Sequence, residues 1–229
     1  MSEAPLSVER AGGAAWCTLD RPPLNLLEPG LIHAVRATFD ALAADRVTRV
    51  AILTGGGRAF TAGMDVRVLR DLDAARAMEL ITALHDAIDA VHRAPFPVIA
   101  AVNGPCLGAG FELALACDLR VAVAGAPLGL PEVRVGVPSV IQAALLPPLV
   151  GPGRAAELLL TGEPITAERA HEWGLVNDVV PAERLRATDL RTAVRSGVDA
   201  FVAAYATDEP FEGMSAFLEK RPPKFRSRR

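Results

Sequence analysis

The segment NGPCLGAGFELALACD, residues 103–118, contains three glycines and places the acidic residue Glu112 inside an otherwise apolar run. Glycine weakens a helix and a buried carboxylate loses hydration, so both are unexpected where a buried strand passes into a buried helix. Glycines at such a turn leave backbone N–H groups free at the helix N-terminus, where the helix dipole favours negative charge. Glu112 is therefore either a helix-end carboxylate stabilised by the dipole or part of a reactive site.

Residue identities exclude three known chemistries of glycine-rich turns. A dinucleotide fingerprint GxGxxG finds Gly108 and Gly110 but has Leu113 in place of its third glycine. The GK[ST] ending of a P-loop and the GxSxG of serine hydrolases are both absent. An oxyanion site remains, in which two N–H groups polarise a thioester carbonyl that becomes an enolate. A second glycine-rich turn, GGGRAFTAGMD at 55–65, offers the other N–H group.

Composition and charge limit the classes of protein that need be considered. The 229 residues are 51% hydrophobic and 22% charged, which predicts an ordinary globular protein of one large or two small domains. A net charge of −3 gives no reason to expect nucleic acid. The basic tail EKRPPKFRSRR is either solvated or meets phosphate groups.

Targeting and metal signals are also missing from the sequence. No apolar run reaches the ~18 residues of a membrane span, and the first residues lack the basic and apolar regions of a secretory signal. The three cysteines form no CxxC pair and the four histidines lack metal-ligand spacing. We therefore predict a cytoplasmic protein with free thiols, no membrane partner and no metal.

Apolar strands alternate with helical periodicities, which predicts an α/β fold around a covered, largely parallel sheet. Buried stripes are predicted in two of the helices. In the first, the stripe is Leu31, Val35, Phe39 and Leu42, and in the second it is Met78, Ile81, Leu84, Ile88 and Val91. The predicted strands are 14–20, 49–57, 96–104, 119–124 and 174–180, and the predicted helices are 31–45, 73–94, 139–150, 153–160 and 166–172.

Several motifs in order resemble the crotonase superfamily, the enoyl-CoA hydratases and isomerases. GRAFTAGMDV resembles the AF-x-AG-x-D turn of that family, and the stretch from VIAAVNG to ACDLRVA is similar to its central segment. LPEVRVGVP, LLLTGEPITAERAHEWGLVNDVV and EGMSAFLEKRPPKF resemble its later motifs. The resemblance implies a crotonase-like spiral of repeated β-β-α turns, with a catalytic core at 1–181 and a helical trimerisation region at 182–229. That last region is about one helix shorter than in the family, through loss or through absence from this sequence.

By this resemblance, the N–H groups of Met64 and Ala109 form an oxyanion hole, with alanine where the family prefers glycine. Glu112 and Glu132 fall on the two glutamates that hold a water, activate it for attack at the β carbon and deliver a proton to the α carbon. Without the family resemblance, Glu132 after Pro131 is most simply interpreted as a loop residue. Two glutamates favour a hydratase. An isomerase, an acyl-CoA hydrolase or decarboxylase, and a catalytically silent CoA-binding homologue remain alternatives.

The resemblance also implies substrate contacts and an assembly. Coenzyme A enters as part of an acyl-CoA substrate, without a separate cofactor, and the assembly is a homotrimer or homohexamer. Lys220 alone would equally suit a solvated tail, and Gln142 is either a pocket group or a solvent-facing helix residue. The implied CoA contacts are Leu24, Ala62, Asp65, Val66, Phe217 and Lys220, and the implied acyl-pocket residues are Val137, Val140 and Ile141.

Overall fold

The computed structural model describes residues 4–185 together with residues 212, 215, 216 and 219–221. The chain divides into two compact units, Met1–Leu185 and Arg186–Arg229. The strands and helices named below all belong to the first unit. In the described part of the chain, no helix is long and apolar enough to cross a membrane.

The strands of the first unit form two sheets. Within the described residues, the larger sheet has the order β1-β2-β3-β4-β6-β9, in which β1 pairs antiparallel with β2 and all other pairs are parallel. The smaller sheet has the order β5-β7-β8. The strands are β1 (Leu6–Ala11), β2 (Ala14–Leu19), β3 (Val50–Gly55), β4 (Val98–Val102), β5 (Cys106–Leu107), β6 (Leu119–Val123), β7 (Pro127–Gly129), β8 (Ile165–Thr166) and β9 (Asp178–Val180).

Helices follow most of the parallel strands, because parallel neighbours need a long crossover connection. They are α1 (Pro29–Ala44), α2 (Val66–Arg70), α3 (Ala74–His92), α4 (Ala109–Leu115), α5 (Leu146–Thr161), α6 (Ala167–Glu172) and α7 (Ala182–Leu185). Two short 3-10 helices span Pro131–Val135 and Ala143–Leu145. The predicted α/β class with a covered parallel sheet is confirmed, since every residue of the central strand β3 is buried. Strand β1, whose residues are mostly exposed, was not predicted.

The two long helices pack on each other and bury the faces that the periodicity predicted, except near the start of α3. In α1 the whole predicted stripe is buried. In α3 the buried residues begin at Leu80, and the prediction for Met78 was wrong because 66% of that residue is exposed. Ile81 is only partly buried. The reason is local: the first half of α3 faces an open cavity, described below, rather than another helix or strand.

Two predicted elements begin later than the sequence indicated. The helix expected from residue 139 starts only at the 3-10 turn Ala143–Leu145, because N–H groups of Ile141, Gln142 and Ala143 donate to the Glu112 carboxylate. This helix and the one expected at 153–160 run together as α5, interrupted at Gly151 (φ 80°). The strand expected at 174–180 is restricted to β9.

The shortening of that strand has a local cause. Gly174 has a φ of 80°, and the N–H groups of Leu175 and Val176 return to the carbonyl of Ala170. These bonds close the end of α6 and satisfy two donors that a longer strand would have used. Residues 174–177 are therefore a helix C-terminus rather than part of the sheet.

Two asparagines hold the turn that follows β3. The side-chain amide of Asn25 is buried and donates to the carbonyls of Gly56 and Ala59 at 2.9 and 2.8 Å. The Asn103 amide donates to Gly55 O at 2.9 Å and accepts from Gly55 N at 3.1 Å. These bonds replace the pairing that a sheet would supply and fix the start of the turn that leads to Met64.

Candidate active site

Two glycine-rich turns lie side by side at the centre of the first unit. Thr61 and Cys106 form a parallel bridge, in which Thr61 N donates to Pro105 O at 3.1 Å and Leu107 N donates to Thr61 O at 3.0 Å. The chain after Thr61 leads to Gly63 and Met64, and the chain after Cys106 leads to Ala109. Strand-like pairing therefore brings the two predicted donor residues to one place.

Glycine is required at both turns because the backbones approach so closely. A Cβ on Gly63, whose φ is +86°, would lie 2.8 Å from Leu107 O and 3.5 Å from Ala109 N. A Cβ on Gly110 would lie 2.6 Å from Thr61 Cγ2. Ala109 has no positive φ, so its methyl group introduces no left-handed strain. Alanine at this position is thus compatible with the turn.

The N–H groups of Met64 and Ala109 are left without a protein acceptor from the described residues, whereas their neighbours are paired. Gly63 N donates to Thr61 Oγ1 at 3.1 Å, and Gly108 N donates to Gly129 O at 2.8 Å. Ala109 is the first residue of α4, where backbone N–H groups have no intrahelical partner. Two adjacent free donors of this kind suit an oxygen that gains negative charge.

Glu112 lies on the first turn of α4, with only 3% of its surface exposed. Its Oε1 accepts three backbone N–H groups, from Ile141, Gln142 and Ala143, at 2.9, 3.0 and 3.1 Å. Its Oε2 accepts no hydrogen bond from any residue that the structure describes. Burial raises the pKa of Glu112 and so does the nearby Glu132, while the three N–H donors act in the opposite direction.

Glu132 reaches the same place from the smaller sheet. Strand β7 pairs parallel with β5, so the 3-10 helix Pro131–Val135 that follows β7 starts beside the turn at Gly108. A Cβ on Gly108 would lie 2.6 Å from Glu132 Oε1, which shows how closely the carboxyl approaches that turn. Ser139 Oγ donates to Glu132 Oε2 at 2.8 Å. Burial raises the pKa of Glu132, and the Ser139 hydroxyl opposes this increase.

These groups border one cavity of about 720 Å³, which lies within the usual range for a small-molecule site. Nine of the residues predicted from the sequence line it: Met64, Ala109, Glu112, Glu132, Ala62, Val66, Val137, Val140 and Ile141. Gln142 is buried, but its side chain is not part of the lining.

Two of the other predicted CoA contacts, Leu24 and Asp65, are not brought to the cavity wall. Leu24 O accepts from Ala62 N at 3.0 Å and so lies behind the wall. Asp65 caps α2 and pairs with Arg67 at 2.6 Å, which also lowers its pKa. Lys220 is an exposed residue of the second compact unit, and Phe217 lies outside the described residues. For these two residues the contact with CoA stays a prediction.

Three features of the site were not predicted from the sequence. Ser139 donates to Glu132, and the N–H groups of residues 141–143 donate to Glu112. The only signal in the sequence was that the loop after Glu132 lacks the glycine-rich pattern of the family. Arg120 is buried at the C-terminal end of α4, where it donates to Leu175 O and Cys117 O, each at 2.6 Å. An arginine within the apolar strand LRVAV was the available signal. Across the described residues, no cluster of His, Cys, Asp and Glu could hold a metal ion.

Comparison with known proteins shows the family to which this chain belongs. The family model described as enoyl-CoA hydratase/isomerase matches residues 9–196. Crotonyl-CoA hydratase of Syntrophomonas wolfei is 34% identical and aligns over 96% of this chain and 97% of its own length. 2,3-Dehydroadipyl-CoA hydratase of Escherichia coli is 34% identical over the whole of both chains, in an alignment of 260 residues that exceeds the 229 of this chain. Residues of that relative therefore have no counterpart here.

Solved structures give the same result. DspI of Pseudomonas aeruginosa is 32% identical, with a TM-score of 0.79 and 97% of each chain covered. An enoyl-CoA hydratase from Bacillus anthracis is 31% identical, with a TM-score of 0.77 over 96% of this chain and 98% of the other. The α/β fold predicted from the motifs is thus confirmed as the crotonase fold, and this chain belongs to the enoyl-CoA hydratase/isomerase family.

Proposed function

We propose that this protein adds water to 2-enoyl-CoA thioesters and forms 3-hydroxyacyl-CoA. The observation that carries the proposal is the convergence on one cavity of two carboxyls and two N–H groups that have no acceptor among the described residues. Relatives over nearly the full chain bear the names of hydratases, among them crotonyl-CoA hydratase and 2,3-dehydroadipyl-CoA hydratase. The proposal extends that activity to this chain and assigns the residues that perform it.

The thioester carbonyl is proposed to lie between the N–H groups of Met64 and Ala109. When a nucleophile adds to the β carbon of an enoyl thioester, negative charge moves onto this carbonyl oxygen. Each preorganised donor of such a pair typically contributes about 2.7–4 kcal/mol of transition-state stabilisation. Both donors belong to the backbone, so side-chain substitution at Met64 would change the shape of the site rather than the donor.

The two carboxyls are proposed to have different roles because their surroundings differ. The three N–H groups on Oε1 of Glu112 favour its ionised form and leave Oε2 to accept a proton from water. Glu132 has one hydroxyl donor, and burial keeps it protonated to higher pH. As the water oxygen bonds to the β carbon, Glu112 takes the water proton and Glu132 gives its own to the α carbon. Proton exchange with water then restores both carboxyls.

Other reactions of the family make less use of this arrangement. Moving a double bond requires one group that removes a proton and returns it, so a single carboxyl is enough. A binding-only homologue needs neither carboxyl. The convergence of Glu112 and Glu132 on one cavity supports water addition over these alternatives.

The test is direct. Water addition is followed by the loss of enoyl thioester absorbance, and mass spectrometry separates a 3-hydroxyacyl product from a shifted double bond or a free acid. Glu112→Gln and Glu132→Gln are each expected to lower kcat by about 10²–10⁴, the usual contribution of a general acid or base. Glu79→Gln, an exposed change on α3 outside the cavity, is the matched control. Unchanged kcat in both site variants would refute the assignment.

The proposal also includes the position of CoA and the assembly of the protein. CoA is proposed to follow the turn from Ala62 to Val66, with Leu24 and Asp65 supporting that turn from behind. The contacts of Phe217 and Lys220, and a homotrimer or homohexamer, rest on the family resemblance alone. Light scattering of the purified protein measures the number of subunits.

A further inference from the structure

We infer that the substrate carries a wholly apolar acyl chain of medium length, rather than a four-carbon acyl group or a chain that ends in a carboxylate or hydroxyl. This inference rests on the proposed function, because it names the class of enoyl-CoA that the same cavity accepts. Four properties of the cavity formed by the described residues support it: the chemistry of its wall, the pairing of Arg134, its length and the exposed apolar side chains at its border.

The wall of the cavity is almost entirely apolar. Among the described residues that line it, the only polar side chains are those of Glu112, Glu132 and Arg134. All the others are Ala, Gly, Val, Leu, Ile, Met or Pro. A hydroxyl group on the distal acyl chain would lose its hydration without a partner there, since the two glutamates are held at the reacting end.

Arg134 does not provide a free partner for an acidic acyl chain. Its guanidinium forms an ion pair with Glu163 and donates to Thr161 O at 3.4 Å. A terminal carboxylate would therefore be dehydrated in an apolar cavity that already holds two carboxyls, where like charge adds to the cost. The cavity thus disfavours substrates such as 2,3-dehydroadipyl-CoA, although a relative named 2,3-dehydroadipyl-CoA hydratase is 34% identical to this chain.

The length of the cavity exceeds what a short acyl group would fill. Helix α3 contributes lining residues at helical spacing from Ala74 to Leu84, which corresponds to about 15 Å along the helix axis. An extended chain advances about 3.5 Å for every three bonds, so an acyl chain of about eight to twelve carbons would occupy roughly half to five-sixths of this length. A four-carbon group would occupy about a third of it or less.

Exposed apolar side chains border the same cavity and would be covered by such a chain. Met78, Val135 and Val140 are each more than half exposed, at 66%, 57% and 60%. Covering them removes apolar surface from water on both partners. Each added methylene that is buried is expected to raise kcat/KM by about two- to fourfold.

The experiment compares four substrates with the intact protein: crotonyl-, trans-2-octenoyl-, trans-2-decenoyl- and 2,3-dehydroadipyl-CoA. We expect kcat/KM for decenoyl-CoA to exceed that for crotonyl-CoA by at least about tenfold, with 2,3-dehydroadipyl-CoA the poorest of the four. Crotonyl-CoA equal to or better than decenoyl-CoA would overturn the inference, and so would efficient hydration of 2,3-dehydroadipyl-CoA. Those outcomes leave the hydratase activity itself standing.

No measurable hydration of any of the four substrates would instead count against the proposed function. Calorimetric Kd values for the saturated butyryl- and decanoyl-CoA then decide the inference on chain length separately. Tighter binding of decanoyl-CoA by at least about tenfold would support it, and equal binding would overturn it.

A variant within the cavity tests the role of α3. Ala77→Phe places a larger side chain in the cavity from the first turn of α3, and is expected to lower the decenoyl-to-crotonyl ratio of kcat/KM by about tenfold or more. Ala75→Phe is the control, because it lies on the same helix, is exposed and does not line the cavity. Ala77→Val provides a milder change if the larger side chain prevents folding. An unchanged ratio in both Ala77 variants would show that the chain does not lie along α3.

Discussion

Replacing Ser139 with alanine removes the hydroxyl that donates to Oε2 of Glu132 at 2.8 Å. No other side chain of the described residues donates to that carboxyl. A hydrogen bond to a charged group typically contributes about 1.5–3 kcal/mol. Because Ser139 is only half-buried, water can replace part of the bond, so the lower end of this range applies. A loss of about 1.4 kcal/mol corresponds to about a tenfold lower kcat.

The pH dependence gives the change its characteristic sign. The hydroxyl favours the ionised form of Glu132, so its removal raises the pKa of that carboxyl further above its ordinary value. If Glu132 is the general acid, it then stays protonated to higher pH. The alkaline limb of the kcat/KM profile should therefore move to higher pH in Ser139→Ala, while the maximum falls.

The assay is the pH profile of enoyl-CoA hydration for the wild type, Ser139→Ala and Ser139→Thr, with Tm measured for each. Threonine keeps the hydroxyl and should restore the profile of the wild type. A purely structural role would lower Tm without moving the alkaline limb. An unmoved limb in Ser139→Ala, or the same displacement in Ser139→Thr, would refute the proposed influence of Ser139 on the pKa of Glu132.

Three further predictions concern stability and geometry. Gly108→Ala places a Cβ 2.6 Å from Glu132 Oε1 at a φ of +56°. It should abolish hydration and lower the free energy of unfolding in urea by about 1–2 kcal/mol. The control Gly153→Ala, which has open space around the new Cβ, should not lower the free energy of unfolding. Arg120→Lys leaves carbonyls at the end of α4 and at Leu175 unpaired, and should cost about 2 kcal/mol or more by the same measurement. Burial raises the pKa of Glu132 above the ordinary 4.5, so its contribution to stability is complete below that pH and declines as pH rises through the raised value. Glu132→Gln should therefore raise Tm at pH 8 by about 2 °C or more, and an unchanged Tm would contradict this reasoning.

The elements that depend on local pattern could be predicted from the sequence. The buried stripe of α1 and the apolar strands β3 and β4 follow from periodicity, and the glycine turns follow from composition. The convergence of Met64, Ala109, Glu112 and Glu132 on one cavity was expected only from motif order, because nothing local in the sequence relates residue 64 to residue 132. Pairing of short strands, which depends on distant contacts, produces that convergence.

Other features could not be predicted because long-range contacts override local preference. Residues 141–143 have a helical pattern, yet their N–H groups donate hydrogen bonds to the carboxylate of Glu112, about 30 residues earlier in the chain. Met78 fits the apolar stripe of α3 but borders a cavity that periodicity does not report. The role of Ser139 depends on the distance to Glu132, which spacing along an irregular loop does not give.

The segment from Val137 to Ala143 has a consequence for how this protein can change its substrate. It supplies Val137, Val140 and Ile141 to the wall of the cavity, and it also holds both carboxyls through Ser139 and the N–H groups of 141–143. By the proposed mechanism, an insertion or exchange that reshapes this wall will also disturb proton transfer by the two carboxyls. Helix α3 has only the first of these two roles. Among the described residues, it lines the cavity but contributes no hydrogen bond to either carboxyl. Natural divergence and laboratory evolution toward new acyl groups should therefore accumulate changes on α3 and leave this loop intact.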